Sequence, residues 1–148
     1  MDKINNNQTY FEQYKMLVES AEKVSDKRMT ANNFFLTVNT ALISLFGLTI
    51  TSSIIKVNPV FIYVIIGLGI VVSLVWLLIV LSYKQLNSGK FALIHKLEKN
   101  LPIQLFHKEW EELGEGKNLW KYIPLSHIEL LVPIVFLIFY IVLIFIRN

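Results

Sequence analysis

The stretch Met29–Lys56, MTANNFFLTVNTALISLFGLTITSSIIK, constrains this chain more than any other. A helix needs about 20 apolar residues to cross a hydrocarbon core of about 30 Å at about 1.5 Å per residue, and this stretch is long enough. It is nevertheless not uniformly apolar. Polar and small residues recur at Thr30, Asn33, Thr37, Thr40, Ser44, Gly47 and Thr51, at alternating steps of three and four. Such steps keep them on one side of a helix. The register extends backwards through Asp26, Lys23 and Glu19, and neither Pro nor Gly interrupts the chain between Thr9 and Gly47. A single hydrophilic stripe is therefore predicted to run along one helix from cytosol into membrane.

Composition agrees with a membrane protein. A hydrophobic content of 54% over 148 residues is too apolar for an ordinary soluble domain of this size. The absence of cysteine excludes a disulfide framework, thiolate catalysis and cysteine-based metal sites. Met1–Gln8 is polar and has no apolar core of a signal peptide, so the first span is expected to direct its own insertion.

Taken in order, Asn5–Asn7 reads as a frayed lead, and Thr9 with Glu12 as a capping box that starts a helix. Tyr10, Tyr14, Leu17, Ala21 and Val24 then form a short heptad seam. It suits packing against either the chain's own cytosolic part or a neighbouring subunit. The first span ends near Ile55, and Lys56-Val57-Asn58-Pro59 is a tight turn with Pro placed to open the next helix. The second span, 60–81, is an apolar run too long for a strand. Within it Gly69 and Ser73 are spaced for close helix packing, within the chain or between subunits.

From Lys84 to Tyr122 the chain turns charged and amphipathic. Leu86, Leu93, Ile94 and Leu97 mark one helix face that ends near Leu101-Pro102. A short helix with Leu105, Phe106, Trp110 and Leu113 comes next, and Gly114-Glu115-Gly116-Lys117-Asn118 reads as a turn. Leu119, Trp120, Tyr122 and Ile123 lie at the membrane surface or close a small cytosolic core. Ser126 and Glu129 form a second capping box. The third span is apolar apart from Tyr140 and is expected at the periphery. The predicted division is thus a cytosolic helix over 1–28, spans over 29–55, 60–81 and 126–146, and a cytosolic helical region over 83–125.

Chemistry finds little support. His95, His107 and His127 lack tight ligand spacing, the Gly114 turn lacks the spacing of a phosphate loop, and Glu109, Glu111, Glu112 and Glu115 read as a solvated face. No catalytic residue, cofactor or metal site is assigned, an enzyme is not expected, and lysines interleaved with carboxylates do not favour direct nucleic-acid binding. The stripe of Asp26, Thr30, Asn33, Thr37, Thr40, Ser44 and Thr51 has two readings, as hydrogen-bonding glue between helices or as the lining of a water path. One copy with three spans cannot enclose a path, so the second reading demands a ring of identical subunits. Asn32 and Asn39 lie on a flanking face and are expected to tie one subunit to the next, as are Tyr10, Tyr14, Leu17, Gly69 and Ser73.

The runs Ser25-Asp26-Lys27-Arg28 and Ala31-Asn32-Asn33-Phe34-Phe35-Leu36-Thr37-Val38-Asn39-Thr40-Ala41-Leu42 resemble the first-span signature of the RipA-like family of small bacterial membrane proteins. Tyr83-Lys84-Gln85-Leu86-Asn87, Lys90-Phe91, Leu101-Pro102, Glu109-Trp110 and Ile128-Glu129 before Pro133 extend the likeness in order. The resemblance implies an octamer in the bacterial inner membrane, akin to membrane accessory proteins of CRISPR and other antiphage systems. It equally implies stress adaptation as a setting, so family membership does not fix the role.

The reading is an all-α, three-span protein that forms a homo-oligomeric ring with the first helix toward the axis. It would act as a pore-forming or membrane-perturbing effector in antiphage defence or stress adaptation. The alternative is a non-conducting scaffold whose cytosolic part recruits a partner protein. Of 14 basic residues, all but Lys56 and Arg147 precede span one or lie between spans two and three, which puts the N-terminus in the cytoplasm and the C-terminus outside. Cysteine labelling tests this: an impermeant reagent on intact cells should modify Asn58→Cys and spare Asn87→Cys, and the reverse pattern would invert the topology.

Overall fold

The computed structural model describes residues 2–51, 58–117 and 122–147, with the backbone alone at 2–7, 51, 126 and 147. Its helices are α1 (Asp2–Thr51), α2 (Pro59–Glu98), α3 (Leu105–Glu112) and α4 (Leu125–Arg147), an all-α chain among the described residues. α1, α2 and α4 are long and apolar enough to cross a membrane. The best window of α1 reaches a mean hydropathy of 1.6 against 3.1 in α2 and 2.9 in α4, the imprint of its polar positions.

The starts of α1 and α4 differ from expectation. α1 begins at Asp2, so Thr9 sits inside it rather than at its start, because no breaker separates the Asn-rich lead from the apolar-periodic residues after it. α2 runs unbroken from apolar to charged residues, since the change of character at Tyr83 contains no helix-stopping residue. α4 already includes Leu125, which places Ser126 in its first turn rather than ahead of it. The side chains of Thr51 and Ser126 lie outside the described residues, as do Ile55, Lys56, Val57, Leu119 and Trp120 altogether.

At the start of α2, Asn58 Oδ1 accepts the Val60 N–H at 3.0 Å while its carbonyl accepts Phe61 N–H at 2.9 Å. Pro59 stands first in the helix, where its missing N–H costs nothing. α4 continues across Pro133, as lipid-spanning helices tolerate.

The chain divides into two compact units, Met1–Arg28 with Ser82–Leu125 and Met29–Leu81 with Ser126–Asn148. In the first, Ala21 and Val24 of α1 and Ile94 of α2 are buried, and Phe91 meets Phe106 of α3 edge-on at 5.9 Å. Trp110 packs on Tyr122 at 6.5 Å, and the turn after α3 carries positive φ at Gly114, Glu115 and Gly116. Leu86 and Leu93 do not share the buried face of Ile94. They are 50% and 53% exposed, because the buried register of α2 runs through Ile94 and Glu98, which lie about a quarter-turn away from them.

The second unit has two apolar clusters. Phe46 of α1, Ile62, Ile65 and Ile66 of α2 and Tyr140 of α4 form one, and Phe35, Trp76 and Val80 form the other. Phe35 and Trp76 stack at 6.0 Å with 12° between ring planes, and Phe136 of α4 approaches the indole at 5.9 Å. In lipid, helices gain nothing from leaving water, so close fit and hydrogen bonds decide their pairing. Gly69 supplies the fit, because a Cβ there would fall 2.2 Å from the Tyr140 ring. Gly69→Ala should therefore push α4 off α2 and cost about 1–3 kcal/mol, the usual penalty of overpacking. Thermal unfolding in detergent reads it, and Gly67→Ala, where a Cβ meets nothing within 4 Å, is the silent control.

Candidate site along the first helix

Asp26, Thr30, Asn33, Thr37, Thr40, Ser44 and Gly47 are all exposed on α1. Ala21, Val24, Phe35, Asn39 and Phe46 on the same helix are buried. α1 thus keeps one side for its own chain and leaves the polar side uncovered. Thr37 Oγ1 donates to the Asn33 carbonyl, Thr40 Oγ1 to Leu36 and Ser44 Oγ to Thr40, each at 2.8 Å. A hydroxyl has one proton, so these three donors are satisfied on their own helix. They can face lipid, water or a neighbouring helix without a lost donor. The exposed Asn33 differs, since a carboxamide carries two donor hydrogens and an acceptor oxygen, more than one backbone carbonyl of its own helix can satisfy.

The positions expected between subunits are engaged inside the chain. Asn39, Gly69 and Ser73 are buried within the chain. Ser73 Oγ donates to Asn39 Oδ1 at 3.0 Å, and Asn39 Nδ2 donates to the Phe35 carbonyl at 2.9 Å. Trp76 Nε1 donates to Asn32 Oδ1 at 2.8 Å. Tyr10 Oη donates to the Leu97 carbonyl at 2.5 Å and receives Asn100 Nδ2 at 2.9 Å. Tyr14 Oη donates to Glu98 Oε1 at 2.9 Å, and Leu17 lies on the same half-buried edge.

Sequence pattern alone does not single out Glu98. It is fully buried, and besides Tyr14 it accepts the N–H groups of Phe106 at 2.9 Å and His107 at 3.0 Å. Those amides belong to the first turn of α3, where Gln104 makes no side-chain cap, so Glu98 caps α3 from the end of α2. The signal that could have found it is a carboxylate four residues after the core position Ile94, just before the helix break at Leu101-Pro102. Burial, then the hydrogen bond to Glu98 and its charge, push the Tyr14 hydroxyl from 10.0 to about 12. His95 and His107 rings meet edge-on at 5.6 Å, and His107 Nε2 lies 3.4 Å from Glu111 Oε1. Among the described residues no three His, Asp or Glu side chains gather as a metal site.

Residues 11–147 match the octameric membrane protein family (8xMP). The chain belongs to that family. The match spans most of α1 and the whole of α2, α3 and α4. No curated protein and no solved structure matches the chain. Membership in 8xMP makes self-assembly a property of the chain, so the surface α1 leaves uncovered belongs to a protein that has neighbours of its own kind.

The Glu98 site can be tested by mutation and by alkali. Glu98→Ala strands three donors and should lower stability by about 3 kcal/mol or more, with Glu98→Gln, which keeps an acceptor, losing less. In alkali, the unfolded Tyr14 ionises near 10 and the folded one at about 12, so its contribution is intact below pH 10 and lost as pH rises to 12. Unfolding curves across that window should fall less steeply with pH in Tyr14→Phe.

Proposed function

We propose that this family member forms a homo-oligomeric ring in the bacterial inner membrane, with the exposed polar side of α1 toward the axis, and acts as a pore-forming or membrane-perturbing effector. The observation that carries the reading is the exposure of every described stripe residue on α1 while the opposite side is buried in the chain's own core. Such a row suits a water path, and the Asn33 carboxamide within it has donors that lipid would leave unmet. The self-bonded hydroxyls suit this role, since they offer oxygen lone pairs to water without demanding a fixed partner. The first-span resemblance adds antiphage defence or stress adaptation as the setting, and the distribution of basic residues favours a cytoplasmic N-terminus.

Thr37→Leu with Thr40→Leu tests the reading in liposomes. Leucine preserves the helix and is favourable in lipid, so the assembled mass should stay the same while solute flux falls about tenfold as the axis narrows and dries. Assembly with unchanged flux, or a wild-type ring that passes no ions, would leave the non-conducting scaffold. Dissociation of the ring would instead assign the stripe to contacts between copies.

A further inference from the structure

We infer that the first unit carries both halves of the contact between neighbouring copies: an apolar, basic-edged patch on one side and an acid-rimmed cleft on the other. The partner is a second copy of this chain, and the inference stands whether or not the assembly conducts.

The patch lies on the outward side of α2. Leu86 and Leu93 are half exposed on a helix whose surroundings are charged and polar, and Met16 of α1 is 68% exposed. Lys90 ties α1 to α2 here, its Nζ donating to Ser20 Oγ at 2.6 Å, and Lys96 is exposed beside Leu93. Gly89 sits between the two leucines on the same face. Glycine is disfavoured in a helix interior, and a Cβ at Gly89 would meet nothing within 4 Å, so nothing in the chain itself calls for it. Two exposed leucines around a glycine allow close approach by a helix from another molecule.

The cleft has a volume of about 340 Å³ and an apolar floor that includes Val18, Ala21, Phe91 and Phe106, with the carboxylates of Glu22 and Asp26 at its edge. Val18 and Ser20 are two residues apart on α1 and so point to nearly opposite sides of it. On α2, Phe91 is likewise far round the helix from Leu86 and Leu93. Patch and cleft therefore face away from each other across the α1–α2 layer of this unit. That is the arrangement a cyclic octamer requires, because a ring is closed by heterologous contacts in which two different surfaces meet. The chemistry matches in both respects: leucines and methionine against an aromatic-lined floor, and Lys90 and Lys96 against Glu22.

The chain contains no cysteine, so introduced thiols report without background. The full chain with Leu93→Cys and Glu22→Cys, in nanodiscs and treated with a short bis-maleimide, should give a ladder of cross-linked subunits extending to eight. Either single variant should give none. Dimers from Leu93→Cys alone would mean that the patch meets its own copy and would overturn the inference. So would the absence of a ladder from double-variant particles that keep the wild-type mass, which would leave assembly and the axial reading intact. As a second arm, Leu86→Glu with Leu93→Glu should abolish the octameric mass with helicity unchanged, since both side chains are exposed within the chain; persistence of the octamer would likewise overturn it.

Discussion

The hydrogen bond from Ser73 to Asn39 decides which side of α1 belongs to its own chain. With Asn39 turned inward against α2, helical geometry sends Asn33, Thr37, Thr40 and Ser44 around to other sides, at least about 100° away. Asn32 joins Asn39 inward to meet the Trp76 indole, and Phe35 stacks on the same ring. A polar pair between helices in lipid contributes modestly, on average about 0.6 kcal/mol, but it discriminates strongly between registers because a misplaced partner is left bare. The Gly69–Tyr140 fit brings α4 onto the same layer, so orientation of α1 and closure of the second unit rest on neighbouring residues of α2.

Glu98 does for the first unit what Asn39 does for the second. Its carboxylate gathers a phenol from α1 and two amides from α3, joining three helices at one fully buried group. Burial of a charge is tolerated because its oxygens accept three donors and lie at the positive end of a helix dipole. α3 is only eight residues long and too short to be stable alone, which makes this external cap a condition of its existence rather than an ornament on it.

Much of the architecture is readable from pattern because it rests on local or one-dimensional rules. Three apolar runs of the right length mark the candidate spans, Asn58-Pro59 marks the start of α2, and the apolar spacing of Leu105, Phe106 and Trp110 marks α3. The unreadable part depends on partners distant in the chain. Asn32 and Asn33 are adjacent and chemically identical, yet one receives an indole 44 residues away and the other is exposed. Leu86 and Leu93 fit a helical stripe as well as Ile94 does, and only the register imposed by Glu98 separates them. The continuity of α2 is illegible for another reason: a change from apolar to charged residues marks a change of solvent, and a helix backbone is indifferent to it.

Asn33 sharpens the meaning of the uncovered side of α1 in an octamer. Thr37, Thr40 and Ser44 have satisfied their donors on their own helix, so their exposure to lipid would cost little. An unsatisfied carboxamide in hydrocarbon costs about 4–8 kcal/mol on the scale of transfer to a solvent that cannot hydrogen-bond. Assembly multiplies that cost by the number of copies if the side faces outward. It removes the cost if the side faces water at the axis or the carboxamides of adjacent copies. In the proposed ring the polar side of α1 turns inward, and all copies do so equivalently. The apolar surfaces left on α2 and α4 within the second unit, including Val60, Leu78, Val135 and Ile138, are then free to meet lipid, where exposure of large hydrophobic side chains carries no penalty.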